Sequence, residues 1–147
     1  MTRAAHAPTG DTLFAVMTDS HERLERVFDQ LLEALAANAP DARALWTELD
    51  HGLLAHMEAE ERFMLPELAK VDRDEAIALV QEHGTLREQL LELGVAVDLH
   101  CIRLEQSRAF VETLRAHAGR EERLLYRWAD QRLDASAVDA TRRHVAS

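Results

Sequence analysis

The sequence has little of several residue types, and each shortage excludes a class of structure. Its 147 residues include one cysteine, which excludes an intrachain disulfide and a cysteine-based zinc site. No apolar run approaches the ~20 residues that a membrane span needs. The first ten residues carry one arginine and no apolar segment, so we expect no secretory signal. These shortages predict a single-domain cytoplasmic protein.

The chain is also poor in basic residues, with 17 of them against 27 acidic residues and a formal charge of −10. Lys70 is the only lysine. An acidic surface argues against nucleic acid or an anionic membrane as the main partner. We therefore expect no nucleic-acid partner and no membrane partner, and the expected assembly is a monomer or a weak homodimer.

Helical periodicity is the feature that the sequence has in abundance, because only five glycines and three prolines interrupt it. Apolar residues recur at alternating steps of three and four, with almost no strand-like alternation. Pro40 and Asp41 break the first stretch, and Asp72 can cap the third helix. Four helices are predicted over residues 11–37, 41–69, 72 to 93 or 97, and from a start between 98 and 107 to 133.

Four long helices with short links predict an all-α fold, an up-down-up-down four-helix bundle. The expected segments are a flexible N-terminal tail over 1–10, the bundle over 11–133 and a C-terminal extension over 134–147, in which 136–145 can add a short helix. Pro66 is expected to bend or shorten the last turn of the second helix. The boundary near 94–101 has no clear turn signal.

The predicted inner faces include Val80, His83 and Leu86 on the third helix, and His117, Glu121 and Leu124 on the fourth.

Eight histidines are an unusual number for this length, and four of them belong to a divergent internal duplication. His56 and His117 each begin a His-x-x-x-Glu-Glu-Arg segment, 61 residues apart. His21 and His83 each begin a weaker His-x-x-Leu match on the preceding helix, 62 residues apart. Each half of the chain is therefore predicted to be a helical hairpin with one histidine on its first helix and His-x-x-x-Glu on its second.

The spacing of these histidines predicts that they lie in one layer of the bundle. Residues at the same height of an up-down bundle are equidistant from the turn between their helices. His-x-x-x-Glu places both side chains on one helix face, one turn apart. The midpoints of successive pairs among His21, His56, His83 and His117 fall at residues 38–39, 69–70 and 100.

Four imidazoles and two carboxylates in one core layer indicate a metal site. Burying an unpaired carboxylate costs several kcal/mol, roughly, and a divalent metal removes that cost. Imidazole suits iron, zinc, copper and nickel, and a carboxylate can bridge two metals. The predicted metal ligands are His21, His56, Glu60, His83, His117 and Glu121, with two histidines for each metal.

The paired His-x-x-x-Glu-Glu segments, with the flanking Asp19 to Leu24 and Glu82-His83, resemble the hemerythrin-like, or HHE cation-binding, family. The resemblance covers residues 11–133 and implies a four-helix bundle that holds an oxo- or hydroxo-bridged di-iron centre. Glu60 and Glu121 would be the bridging ligands. Zinc or manganese in place of iron stays open.

One position departs from the oxygen-carrying members of that family. They have a fifth histidine one turn after the histidine of the third helix, where this chain has Arg87. The pattern is similar to the four-His, two-Glu subgroup, which includes bacterial iron-centre repair and nitric-oxide-related proteins and a vertebrate iron sensor. The resemblance implies open metal positions for water, O2, peroxide or NO rather than reversible oxygen carriage.

Three hypotheses about function follow. The first is a non-haem di-iron protein that binds or reacts with O2, peroxide or NO; turnover with an electron donor protein would make it an enzyme, an oxidoreductase. The second is an iron- or oxygen-responsive regulatory or storage module without turnover. The third is a structural bundle without metal.

The remaining candidate residues have weaker predicted roles. Glu25 stands one turn after His21 and is either an additional metal ligand or an exposed glutamate paired with an arginine. Glu82 is predicted to orient a ligating histidine. Arg87 is expected near the site, beside a glutamate or a bound anion. Glu61 and Glu122 are predicted at the surface or beside the ligands, His51 and His100 at the surface, and Tyr126 and Trp128 in packing roles.

Overall fold

The computed structural model describes residues 12–146 and is entirely helical within them, apart from short links. The predicted flexible tail over 1–10 lies outside the described residues. The helices are α1 (Leu13–Ala36), α2 (Ala42–Phe63), α3 (Leu65–Val71), α4 (Arg73–Asp98), α5 (Leu104–Arg120), α6 (Tyr126–Arg132) and α7 (Ala135–Ala146), with a π-helical segment (Glu121–Leu125) between α5 and α6.

The long helices form the predicted bundle. α1, α2, α4 and α5 with its continuation through α6 are the four long elements, and α1 packs on α2 and α6 while α4 packs on α2 and α5. α7 packs on α2 and α1, so the short C-terminal helix expected over 136–145 is present. None of the helices among residues 12–146 has both the length and the hydropathy of a membrane span.

Capping interactions set the ends of these helices. Thr12 accepts a hydrogen bond from Ala15 N at the start of α1, and Asp72 accepts one from Glu75 N at the start of α4. α1 and α4 both end in a Schellman motif, with Asn38 and His100 in the left-handed region at φ 53°. His100 is thus the turn residue at the boundary where the sequence has no clear turn signal.

The predicted second helix is interrupted earlier than expected. α2 ends at Phe63, and α3 carries the chain from Leu65 to Val71. Pro66 causes the break, because its ring clashes with the carbonyl of the residue four positions earlier and it has no N–H to donate. In the first turn of a new helix that missing donor costs nothing, so α3 begins where α2 cannot continue.

Two of the predicted inward-facing residues are exposed. Val80 is 48% exposed, because the buried stripe of α4 runs through Leu79, four residues before His83. Leu124 is 49% exposed, whereas Leu125 is 1% exposed. The π-helical segment explains the second error: Tyr126 N donates to Glu121 O, five residues back, and the wider turn moves the inner face forward by one residue.

This shift in register predicts a contrast between two adjacent leucines. We expect Leu125→Ala to lower the free energy of unfolding by about 2–5 kcal/mol, because it leaves a cavity in a packed core. Leu124→Ala should change it by less than about 0.5 kcal/mol, as a surface substitution. Chemical denaturation of both variants measures the difference. Equal destabilisation would contradict the register set by the π-helical segment.

The core consists of two apolar clusters, one on each side of the histidine layer. The first includes Phe28, Leu53 and Phe110, and the second includes Met17 and Leu68. His21 therefore lies between Met17 of one cluster and Leu24 of the other. Buried apolar layers above and below hold the polar layer in a defined position.

Candidate metal centre

The structure brings all six predicted ligands together in the buried middle layer of the bundle. They come from α1, α2, α4, α5 and the π-helical segment, so every long element contributes. Their exposed fractions are 6% for His21, 1% for His56, 0% for Glu60, 0% for His83, 3% for His117 and 0% for Glu121.

These six residues form two groups that share both glutamates. The first group is His21, His56, Glu60 and Glu121, and the second is His83, His117, Glu60 and Glu121. Within each group, the donor atoms lie within 4.8 Å of one another. Two histidines and two carboxylates in each group are a suitable donor set for one divalent metal.

Each shared glutamate directs one oxygen toward each group. Glu60 Oε2 lies 3.1 Å from His56 Nε2, and its Oε1 lies 2.9 Å from His83 Nε2. Glu121 Oε1 lies 3.2 Å from His21 Nε2, and its Oε2 lies 2.7 Å from His117 Nε2. A carboxylate that bridges two metals presents its oxygens in this way.

The other ring nitrogen of each histidine is held by a neighbouring side chain. Nδ1 lies 3.1 Å from Glu122 Oε2 in His21, 2.8 Å from Ser20 Oγ in His56, 2.7 Å from Glu61 Oε2 in His83 and 2.7 Å from Glu82 Oε1 in His117. A carboxylate accepts from Nδ1–H and leaves Nε2 as the acceptor that faces the centre, so the three glutamates fix the tautomer and ring orientation of His21, His83 and His117. The Ser20 hydroxyl, which can donate or accept, holds the ring of His56.

The Nδ1 partners follow the internal duplication. Glu61 and Glu122 are the second glutamates of the two motifs, and each binds the histidine of the other hairpin's first helix. Glu82 and Ser20 precede His83 and His21, so among the Nδ1 partners the halves differ in having a serine in place of a carboxylate. Glu82 was predicted to orient a ligating histidine, and its Oε1 contacts Nδ1 of His117.

Two arginines hold these carboxylates from outside. Arg87 donates two hydrogen bonds to Glu61, at 2.9 and 2.8 Å. Arg120 donates to Glu82 at 2.7 Å and to Glu75. Arg87 is therefore paired with a glutamate, one of the two roles that its spacing suggested.

Tyr126 is the residue of the site that the sequence argument missed. It was expected to serve in packing, but its side chain is fully buried and its hydroxyl lies 2.5 Å from Glu60 Oε2 and 2.8 Å from Glu121 Oε1. The π-helical segment turns Tyr126 inward, and a regular 3.6-residue period does not predict that turn. In the sequence, only the position of Tyr126 five residues after Glu121 could have indicated that it lies at the site.

An unsatisfied buried atom tests whether the site fits a metal. His117 Nε2 lies 2.7 Å from Glu121 Oε2 but makes no hydrogen bond, since the two atoms are not aligned as donor and acceptor. A buried polar atom without a partner is costly. A cation bound by His117 and Glu121 would give this atom a partner, so the residues fit a bound metal.

The remaining candidates lie away from the centre. Glu25 accepts a hydrogen bond from Arg115 Nε at 2.7 Å, which is the ion-pair alternative that its sequence position allowed. His51 and His100 are exposed. Trp128 is half-buried and packs against the second apolar cluster.

The two buried glutamates raise the pKa values of His56, His83 and His117. Burial alone lowers the pKa of His56, but Glu60 and Glu121 more than offset it and raise that pKa to about 9. Burial also lowers the pKa of His83, but the same two carboxylates more than offset this effect and raise that pKa to about 10. Burial raises the pKa of Glu121, but its hydrogen bonds and the nearby histidines bring it well below the usual value.

These shifts predict that metals and protons compete for the site. A raised folded-state pKa stabilises the metal-free fold fully below the unfolded value of 6.5, and that stabilisation is lost as pH rises through about 9 and 10. Metal affinity should rise over the same window, because the ligands must be neutral imidazoles. Calorimetry at neutral pH in buffers of different ionisation enthalpy should show release of at least two protons per chain. Binding without proton release would contradict these pKa values.

The comparison with protein families decides the identity of the domain. The model of the hemerythrin HHE cation binding domain matches residues 12–129 of this chain. The chain belongs to the hemerythrin HHE family. All six buried histidines and glutamates of this hemerythrin domain lie inside the matched range, and a domain of this family binds metal cations. A search of curated proteins and a search of solved structures each gave no significant match.

Proposed function

We propose that this hemerythrin domain is a non-haem di-iron protein that binds or reacts with a small oxidant: O2, peroxide or NO. His21 and His56 would hold one iron, His83 and His117 the other, and Glu60 and Glu121 would bridge them. The observation that carries the proposal is that both shared glutamates direct one oxygen toward each histidine pair.

The donor set supports iron over softer or harder metals. Imidazole suits iron, zinc, copper and nickel, whereas carboxylates suit manganese and magnesium, so two of each per metal favour an intermediate ion. Zinc and manganese are the alternatives that metal analysis separates from iron. Bound iron would supply electrons and open coordination positions for the oxidant.

Burial supports a small reaction partner. Every ligand residue is at most 6% exposed, so a bulky substrate cannot reach the donor atoms. A cavity of about 330 Å³ beside α1 and α5 includes the proposed ligand His21 in its lining, with Thr18, Ala118 and Glu122. This volume is large enough for a diatomic molecule or peroxide next to His21. The protein would then position the metals and exclude water, and an electron donor protein would make the reaction catalytic.

Stopped-flow mixing of the Fe(II)-loaded protein with O2, peroxide or NO tests this function. We expect consumption of at least one of the three faster than by the same concentration of free Fe(II). His56→Ala should slow it by at least about tenfold, because the substitution removes a ligand. His51→Ala is the matched control, since His51 is an exposed histidine on the same helix. Consumption no faster than that by free iron would contradict the proposal.

A regulatory or storage role is the second candidate, and the distribution of the ligands favours it. All long elements of the bundle contribute a ligand, so metal loss would weaken every contact between them. A partner protein could then read the loss of structure. Circular dichroism after chelation separates the candidates, because this role requires loss of helicity and the oxidant role does not.

A further inference from the structure

The buried hydroxyl of Tyr126 is the one polar group at the centre that the proposed ligand set does not use. Tyr126 is the first residue of α6 and follows the π-helical segment directly. It is the only tyrosine in the chain. Its side chain is fully buried, and its hydroxyl is surrounded by site residues rather than by water.

The contacts of this hydroxyl all go to one of the two ligand groups. Its oxygen lies 2.5 Å from Glu60 Oε2, 2.8 Å from Glu121 Oε1, 3.1 Å from His56 Nε2 and 3.2 Å from His21 Nε2. Those four atoms belong to the four residues of the first group.

The distances distinguish a ligand from an atom that fills the metal position. An atom at the metal position would lie about 2.0–2.2 Å from each donor. Two ligands at right angles around one metal, with bonds of that length, lie about 3 Å apart. The hydroxyl oxygen lies near that second distance from all four donors, so it is placed as a fifth ligand beside them.

We propose that Tyr126 is a protein ligand of the metal held by His21, His56, Glu60 and Glu121. On binding, the phenolic O–H bond breaks, its proton leaves to solvent, and the phenolate oxygen forms a bond to the metal. The oxidation state of the metal does not change in this step. The inference rests on the proposed occupancy of the site and deepens it.

The internal duplication makes this ligand unique to one half of the site. The residue 61 positions before Tyr126 is Leu65, which has no donor atom and belongs to the second apolar cluster. Tyr126 belongs to the second hairpin and contacts the histidines of the first, so the matching ligand of the metal held by His83 and His117 would come from the first hairpin, where Leu65 cannot supply it. The two metals differ as a result, and the second one keeps more open positions for the oxidant.

The test is the optical spectrum of the ferric protein, with iron content measured on the same sample. Phenolate bound to Fe(III) gives a charge-transfer band in the visible, and resonance Raman excitation in it enhances tyrosinate vibrations. We expect this band in the wild-type protein and its complete loss in Tyr126→Phe at unchanged iron content. Leu124→Ala is the control, because Leu124 is 49% exposed in the adjoining π-helical segment, and it should keep the band.

A second measurement does not depend on the variant folding. Titration of the metal-free wild-type protein with Zn(II) should produce one tyrosinate difference signal in the ultraviolet, and it can come only from Tyr126. Iron at full occupancy with no tyrosinate signal in either experiment would overturn this inference and leave the di-iron proposal standing. A protein that takes up neither iron nor zinc would overturn both.

Discussion

Glu121→Gln is expected to release both metals from the protein. Glu121 directs one oxygen to each ligand group, so one substitution weakens two sites at once. The amide keeps the size of the side chain but removes its negative charge and one of its two acceptor oxygens. Elemental analysis after dialysis should show a fall from about two metals per chain to less than one.

Two controls separate this effect from a general effect of charge. Glu58→Gln makes the same change at an exposed position on α2 and should keep both metals. Glu122→Gln alters the neighbouring residue, whose amide oxygen can still accept the hydrogen bond from His21 Nδ1. We expect it to keep both metals, with affinity reduced roughly ten- to a hundredfold. Normal metal content in Glu121→Gln would rule out a bridging role.

Metal removal is expected to lower the melting temperature by about 10 °C or more. A metal at about a thousand times its dissociation constant adds about 4 kcal/mol to the folded state. For a chain of this length, 1 kcal/mol corresponds to roughly 2–4 °C. The metal-free protein should remain helical, because the histidines and carboxylates pair as ions in its core.

Thermal unfolding with and without a chelator measures this shift. Glu121→Gln serves as the matched control, since a variant without metal should melt at the same temperature in both conditions. An unchanged melting temperature in the wild-type protein would mean that the buried cluster contributes nothing through metal binding. Unfolding at room temperature after chelation would favour the regulatory role instead.

Spacing alone predicted the position of the site. His21, His56, His83 and His117 were placed in one layer because each pair is equidistant from a turn, and the structure places them within one buried cluster. Regular helices between the turns are enough for this prediction. The prediction also applied where the turn was unmarked, since His100, the left-handed residue that follows α4, lies at the midpoint that the spacing required.

Two of the errors fall where a helix departs from its regular period. Leu124 was predicted inside and Tyr126 in packing, because a 3.6-residue repeat was continued through the π-helical segment after Glu121. A wider turn has no sequence signal comparable to the proline that ends α2. The partners of the histidine Nδ1 atoms depend on contacts between helices, so only Glu82 among them was predicted in its specific role.

Metal analysis of protein purified from iron-replete cells tests the central claim most directly. Two overlapping groups of two histidines and two shared glutamates predict about two irons per chain, with oxo-to-iron charge-transfer bands in the near ultraviolet. His56→Ala should lower that content, and His51→Ala should leave it unchanged. One metal per chain, zinc alone, or no metal after anaerobic purification would contradict the di-iron assignment.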